Sequence, residues 1–135
     1  MSVTEMKSSS MGQGESTRRT VLGDDHVDRA EANTTAFDAP FQTLITEAAW
    51  GRLWSGDSWS KRDRSIVTIA LLAALGHHEE MAMHIRATTR TGASEVDIRE
   101  ALMHVAIYAG VPAANTAFRI AKQIFEESNW GQKPV

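Results

Sequence analysis

The stretch Arg64–Leu75 constrains the fold most. In it Ile66, Val67, Ile69, Ala70, Leu71, Leu72 and Leu75 follow so closely that, at about 100° per residue, they cover most of a helix circumference. A helix apolar on nearly every side must be surrounded, so this one is expected to be central and buried. Ser60-x-x-Asp63 has capping-box spacing at its start, with Asp in place of the usual Glu, and Gly76 interrupts its end. Few other helices are available to cover it, so the chain is expected to associate with copies of itself.

The neighbouring segments are also helical in pattern. Asp38 followed by Pro40 marks a helix start, and Phe41, Leu44, Ile45, Ala48, Ala49 and Leu53 then recur at helical spacing. A segment from His77 to Arg90 ends at Gly92, a glycine suited to the left-handed position after a helix. Ser94-x-x-Asp97 opens the next helix, Gly110-Val111-Pro112 breaks the chain, and a last helix carries Ala117, Phe118, Ile120, Ala121, Ile124 and Phe125. No window alternates with period two beside turn residues. The expected class is all-α.

The 135 residues, 42% of them apolar, suit a single domain. Residues 1–17 are rich in Ser, Gly and Gln and are expected to be a disordered lead-in. The domain is expected over 18–127. Its first part, 18–37, reads as an arm with a short helix near Asp24–Asn33 that must pack on something else. Residues 128–135 read as a flexible tail. With no cysteine, disulfides, thiolate metal sites and cysteine nucleophiles are excluded. Seventeen acidic against fourteen basic residues give a net charge of −3, unlike the basic footprint of a nucleic-acid binder. No apolar run is long enough to span a bilayer, and the start lacks the apolar core of a secretory signal, so the expected location is the cytoplasm.

The chemistry-bearing segment is His77-His78-Glu79-Glu80-Met81-Ala82-Met83-His84-Ile85-Arg86. On a helical wheel Glu79, Arg86 and Arg90 share the solvated side, while His77, Glu80, His84 and Thr88 share the opposite one, beside Met81 and Ile85. Glu80 and His84 are one turn apart and within reach of each other. An inward carboxylate–imidazole pair has perturbed proton affinities and suits acid–base work, or else is a structural hydrogen bond at a subunit contact. The spacing leaves both open. His77, Glu80 and His84 lack partner ligands on a second helix, so no metal is expected. His78 reads as polar surface and His104 as a core or interface histidine. Arg29, Arg62, Arg64 and Arg86 are candidate partners for a ligand carboxylate, Arg86 being the one that most resembles plain solvated surface. The tryptophans around Trp50–Trp59 read as packing anchors.

Several of these segments, taken together, carry a family resemblance. Over about residues 18–125 the chain resembles the carboxymuconolactone decarboxylase / alkyl hydroperoxidase D superfamily, and specifically its decarboxylase branch. The match lies in Arg19-Thr20-Val21-Leu22-Gly23-Asp24, His26-Val27-Asp28-Arg29-Ala30, Phe37-Asp38-Ala39-Pro40-Phe41, Glu79-Glu80 before Met83-His84-Ile85-Arg86-Ala87, and Val105-Ala106-Ile107-Tyr108 before Gly110-Val111-Pro112-Ala113-Ala114-Asn115. The peroxidase branch carries Cys-x-x-Cys followed by His, and both thiols are missing here, which excludes its chemistry. The resemblance implies an alkyl hydroperoxidase D-like helical fold assembled as trimers or hexamers. It also implies cofactor-free decarboxylation of 4-carboxymuconolactone to the β-ketoadipate enol-lactone and CO₂ in protocatechuate catabolism.

On that expectation His84 donates the proton, Glu80 orients it, and His26, Arg29, Arg64 and His77 bind the small lactone dicarboxylate. No cofactor, metal, nucleic acid or membrane partner is expected. Two alternatives stand beside it: a non-enzymatic oligomeric helical binding module, and a divergent member acting on another small lactone or carboxylic acid.

Overall fold

The computed structural model describes residues 3–127, with side chains described from residue 9 on. The expected 128–135 tail lies outside the described residues. Seven α-helices occur among the described residues: α1 (Val3–Leu22), α2 (Asp24–Asn33), α3 (Ala39–Ile45), α4 (Lys61–Leu75), α5 (His78–Thr91), α6 (Glu95–Tyr108) and α7 (Val111–Glu127). A π-helical segment, Thr46–Leu53, continues α3. The described residues contain no strand. None of the described helices is long and apolar enough to cross a membrane.

The chain divides into two compact units, one ending at Ser60 and the other beginning at Lys61. The arm expected over 18–37 lies within the first unit. The first unit corrects the expected lead-in, because α1 runs as helix from Val3. Low helix propensity in its Ser/Gly-rich sequence is overridden by packing. Gly14 is buried, and a Cβ there would collide with the Thr46 carbonyl oxygen; a Cβ on Gly51 would collide with that of Ser10. Two facing glycines thus let α1 approach the π-helical backbone directly. Nearby, Trp50 and Trp54 are buried with ring centroids 5.3 Å apart, together with Val21, Leu22 and Val27. The short helix expected at Asp24–Asn33 is α2.

Ion pairing ties α2 to the end of α1. Arg19 reaches Asp28 at 2.8 Å, Asp24 at 3.0 Å and Glu31 at 3.3 Å. These acids lie at spacings of four and three residues, hence on one face of α2. Hydrogen bonds to Asp28 and then Asp24 hold the Arg19 guanidinium above its ordinary pKa.

The second unit packs α4–α7 around Ile69, Met81, Ile85, Ile98, Leu102 and Ala117, all essentially inaccessible. The helix α4 is buried only along Ser65, Ile69 and Ala73. Leu71 and Leu75 remain 57% and 67% exposed, so its expected all-round burial is not met within one chain. Three helices, α5, α6 and α7, cover a single face of α4, and its opposite apolar side is left open.

Local signals set the helix ends of this unit. Gly92 has φ 91°, as expected of the residue after α5, and its amide donates to the Thr88 carbonyl. Ser94 and Asp97 form a reciprocal capping box at the start of α6, with 3.0 Å from Asp97 N to Ser94 Oγ and 2.9 Å from Ser94 N to Asp97 Oδ2. Arg62 on α4 also grips Asp97, at 2.6 and 2.9 Å. Ser94→Ala is expected to lower stability by about 1 kcal/mol, read by denaturant unfolding.

The same contacts give a pH dependence. Hydrogen bonds from Arg62, then from the Ser94 amide, hold the Asp97 carboxyl below its ordinary value of 3.8. The unfolded chain therefore takes up this proton at a higher pH than the folded one. Its contribution is full above that ordinary value and is lost as pH falls through the lower folded-state value. In thermal unfolding against pH, Asp97→Asn should flatten the decline seen below about pH 4.

Candidate active site

The helix α5 carries His84 and Glu80, the expected acid–base pair. Chain reversal before it uses Gly76 at φ 76°, and the His77 amide then donates to the Leu72 carbonyl at 2.9 Å. This sets α5 antiparallel to α4, with Ser65 Oγ and Thr91 Oγ1 2.7 Å apart at the far end. The buried arc of α5 is Met81, His84, Ile85, Ala87 and Thr88. His84 retains only 7% of its accessible surface.

Two expectations about this arc need correction. His77 and Glu80 are exposed, whereas His84 and Thr88 are buried. The arc is centred nearer Met81 and Ile85 than the wheel alone indicates. His77 precedes the helix with φ −86° and ψ 77°, so helical geometry does not govern where it sits. Glu80 belongs to the first turn, where a carboxylate is favoured by the unpaired amides and the helix dipole. It remains one turn from His84 on the same helix, at the border of the arc.

Arg64, in the first turn of α4, is half-buried, and its Nε is a buried donor with no hydrogen bond among the described residues. It lies beside Ser65, the residue bonded to Thr91. From Thr91 back to His84 is seven residues, about 10 Å along α5. Arg64 thus belongs to the end of the α4/α5 pair marked by the Ser65–Thr91 contact, and His84 lies about two turns from that end along α5. His78 is exposed at the first position of α5. His104 is exposed on α6 and stacks on Tyr108 at 6.3 Å, so it is not a core residue of this chain. Arg62 is engaged with Asp97, and Arg86 lies 3.6 Å from Glu127 on the exposed surface.

His26 and Arg29 belong to the first unit. They flank buried Val27 on α2, His26 half-buried and Arg29 exposed. The sequence reading overlooked Arg18. Its Nη2 donates to Gln42 Oε1 at 3.3 Å, and it lines a cavity of about 260 Å³ with Thr34, Thr43 and Thr46. Burial pushes its guanidinium below the ordinary pKa, against the opposing pull of Glu31. The signal was the Arg18-Arg19 pair itself: Arg19 takes the acids of α2, while Arg18 donates to Gln42.

A wider groove of about 1100 Å³ lies between α6 and α7, and none of the expected site residues lines it. Among the described residues no three His, Asp or Glu side chains gather closely enough to hold a metal ion.

The family model described as "Carboxymuconolactone decarboxylase family" matches residues 39–123, from α3 into α7. The chain belongs to the carboxymuconolactone decarboxylase family. Its curated relatives include the 4-carboxymuconolactone decarboxylase of Acinetobacter baylyi, 40% identical over 115 residues that span 85% of this chain and 86% of the relative. Another is the nitrosuccinic acid decarboxylase of Metarhizium robertsii, 34% identical over 115 residues, covering 85% of this chain and 80% of that protein. Family membership places His84, Glu80 and Arg64 within the matched region, and His26 and Arg29 before it.

Proposed function

We propose that the protein is a carboxy-lyase that converts 4-carboxymuconolactone into the β-ketoadipate enol-lactone and CO₂. The observation that carries this reading is the 40% identity to a decarboxylase of that name over most of both chains. In the substrate, the carboxylate that leaves sits on a ring carbon joined through a C=C bond to the lactone carbonyl. Breaking the C–CO₂ bond sends the electron pair through that system to the lactone oxygen, giving a dienolate. Protonation at the carbon α to the carbonyl then yields the enol-lactone. The substrate is its own electron sink, so the reaction needs no cofactor. The second relative fits the same logic, because a nitro group beside a carboxylate also accepts the electron pair that CO₂ leaves behind.

The protein's tasks are to hold a dianion, stabilise the oxyanion and deliver one proton. His84 delivers the proton from its buried position on α5, where water competes least. Glu80, one turn earlier on α5, orients the imidazole. Arg64 offers its unbonded Nε to a substrate carboxylate. His26, Arg29 and His77 are the remaining candidate binding groups. The protein works in the cytoplasm as a homo-oligomer, a trimer or hexamer, in protocatechuate catabolism. The open apolar side of α4 supports the assembly.

Turnover is tested by ultraviolet loss of 4-carboxymuconolactone with trapping of CO₂, one per lactone consumed. A folded protein that consumes nitrosuccinate and leaves the lactone untouched would move it to the second relative's chemistry. Arg64→Ala should raise KM roughly 10- to 100-fold, the value of a charge-assisted hydrogen bond, with a smaller change in kcat. Steady-state kinetics on the folded variant check this.

A further inference from the structure

The first unit carries an exposed apolar ridge. Phe37, Phe41 and Leu44 recur at spacings of four and three, and they are 95%, 59% and 61% exposed. The Ala39 amide donates to the Thr35 carbonyl and the Gln42 amide to that of Asp38, so helical geometry extends back through Phe37 and the three side chains form one stripe. The ridge lies in a stretch, Ala30–Gly51, that contains Glu31, Asp38 and Glu47 and no Lys or Arg. On a wheel Asp38 and Glu47 flank the stripe on opposite sides.

The second unit carries a feature of opposite character. The groove between α6 and α7 has an apolar lining that includes Ile98, Leu102 and Phe118, and Arg99, Arg119 and Lys122 outnumber Glu95 on its rim. At about 1100 Å³ it is open and exceeds what a small lactone would fill, since ligand pockets usually run to about 300–1,000 Å³. A row of two phenyl rings and an isobutyl group flanked by acids complements, in polarity and charge, a groove lined by apolar side chains and three bases. Exposed aromatic ridges of this kind are what association surfaces use as anchors.

We propose that the α6/α7 groove of one copy receives the Phe37–Phe41–Leu44 ridge of a second copy. This rests on the homo-oligomer reading above and names its contact. The contact is heterologous, ridge to groove, so each copy presents both halves and a ring closes when the rotation permits. Part of the attraction is electrostatic, and moderate salt should weaken it.

Analytical ultracentrifugation of the full chain tests it, with far-UV circular dichroism to confirm folding. The ridge variant combines Phe37→Ser with Phe41→Ser; the rim variant combines Arg119→Glu with Lys122→Glu. All four positions are exposed, so neither variant should unfold the chain. Each alone is expected to sediment as a smaller species than the unaltered protein. Mixed in equal amounts they should form a larger species than either, because the ridge variant keeps an intact groove and the rim variant an intact ridge. If the unaltered protein is oligomeric and both variants retain its mass, the contact is wrong and the oligomer reading stands. Mixing that restores nothing also overturns the contact. A monomeric unaltered protein overturns both.

Discussion

His84→Ala is expected to lower kcat about 10²–10⁴-fold, the usual consequence of removing a positioned general acid. Of the histidines in this segment, His77 and His78 are exposed at and before the first turn while His84 is buried on the inner arc. His84→Gln keeps most of the side-chain volume and should lose a similar factor, which separates proton delivery from packing. His78→Ala should keep nearly full turnover. A purely structural imidazole behaves differently: His84→Ala would then lower the unfolding temperature while the surviving folded protein kept its kcat. The decisive readouts are kcat per folded protein and the unfolding temperature. Glu80→Gln, which removes the carboxylate one turn away, should also lower kcat while the protein stays folded.

Gly14→Val is expected to destabilise the first unit by about 3 kcal/mol, at the upper end of the usual cost of overpacking. The added atoms meet the Thr46 carbonyl, a backbone group of the π-helical segment that has no rotamer by which to withdraw. Relief requires α1 to move away from that segment, uncovering Trp50 and Trp54. Gly12→Val is the control, since a Cβ there meets nothing within 4 Å. Limited proteolysis and hydrogen exchange should show faster opening before Ser60 for Gly14→Val and little change for Gly12→Val. Equal behaviour of the two variants would mean that α1 does not rest on the π-helical segment.

What could be read directly from the sequence was local. The Asp24–Asn33 helix, the glycine after α5, the Ser94/Asp97 box and the break before α7 each announce themselves through a side chain or a φ preference acting over a few residues. The helix α1 does not, because its Ser/Gly composition argues against helix and only a distant backbone, at Thr46 and Gly51, makes those small residues favourable. The π-helical register is equally silent, since a shift of hydrogen bonds by one residue leaves the apolar spacing almost unchanged. The candidate site was legible in part. Helical periodicity located the inner arc of α5 and with it His84, yet it does not fix rotation to within one residue. Glu80 and His77 therefore sit outside the arc they were expected to share. Arg64 could be singled out as a cation; that its Nε is buried without a hydrogen bond is a fact of packing alone.

The central claim is tested most directly by proton NMR of the purified protein acting on 4-carboxymuconolactone in D₂O. The expected result is loss of the lactone, one CO₂ per molecule, and an enol-lactone carrying a single deuteron, on one face of the carbon α to the carbonyl. Unchanged lactone in the presence of folded protein would contradict it.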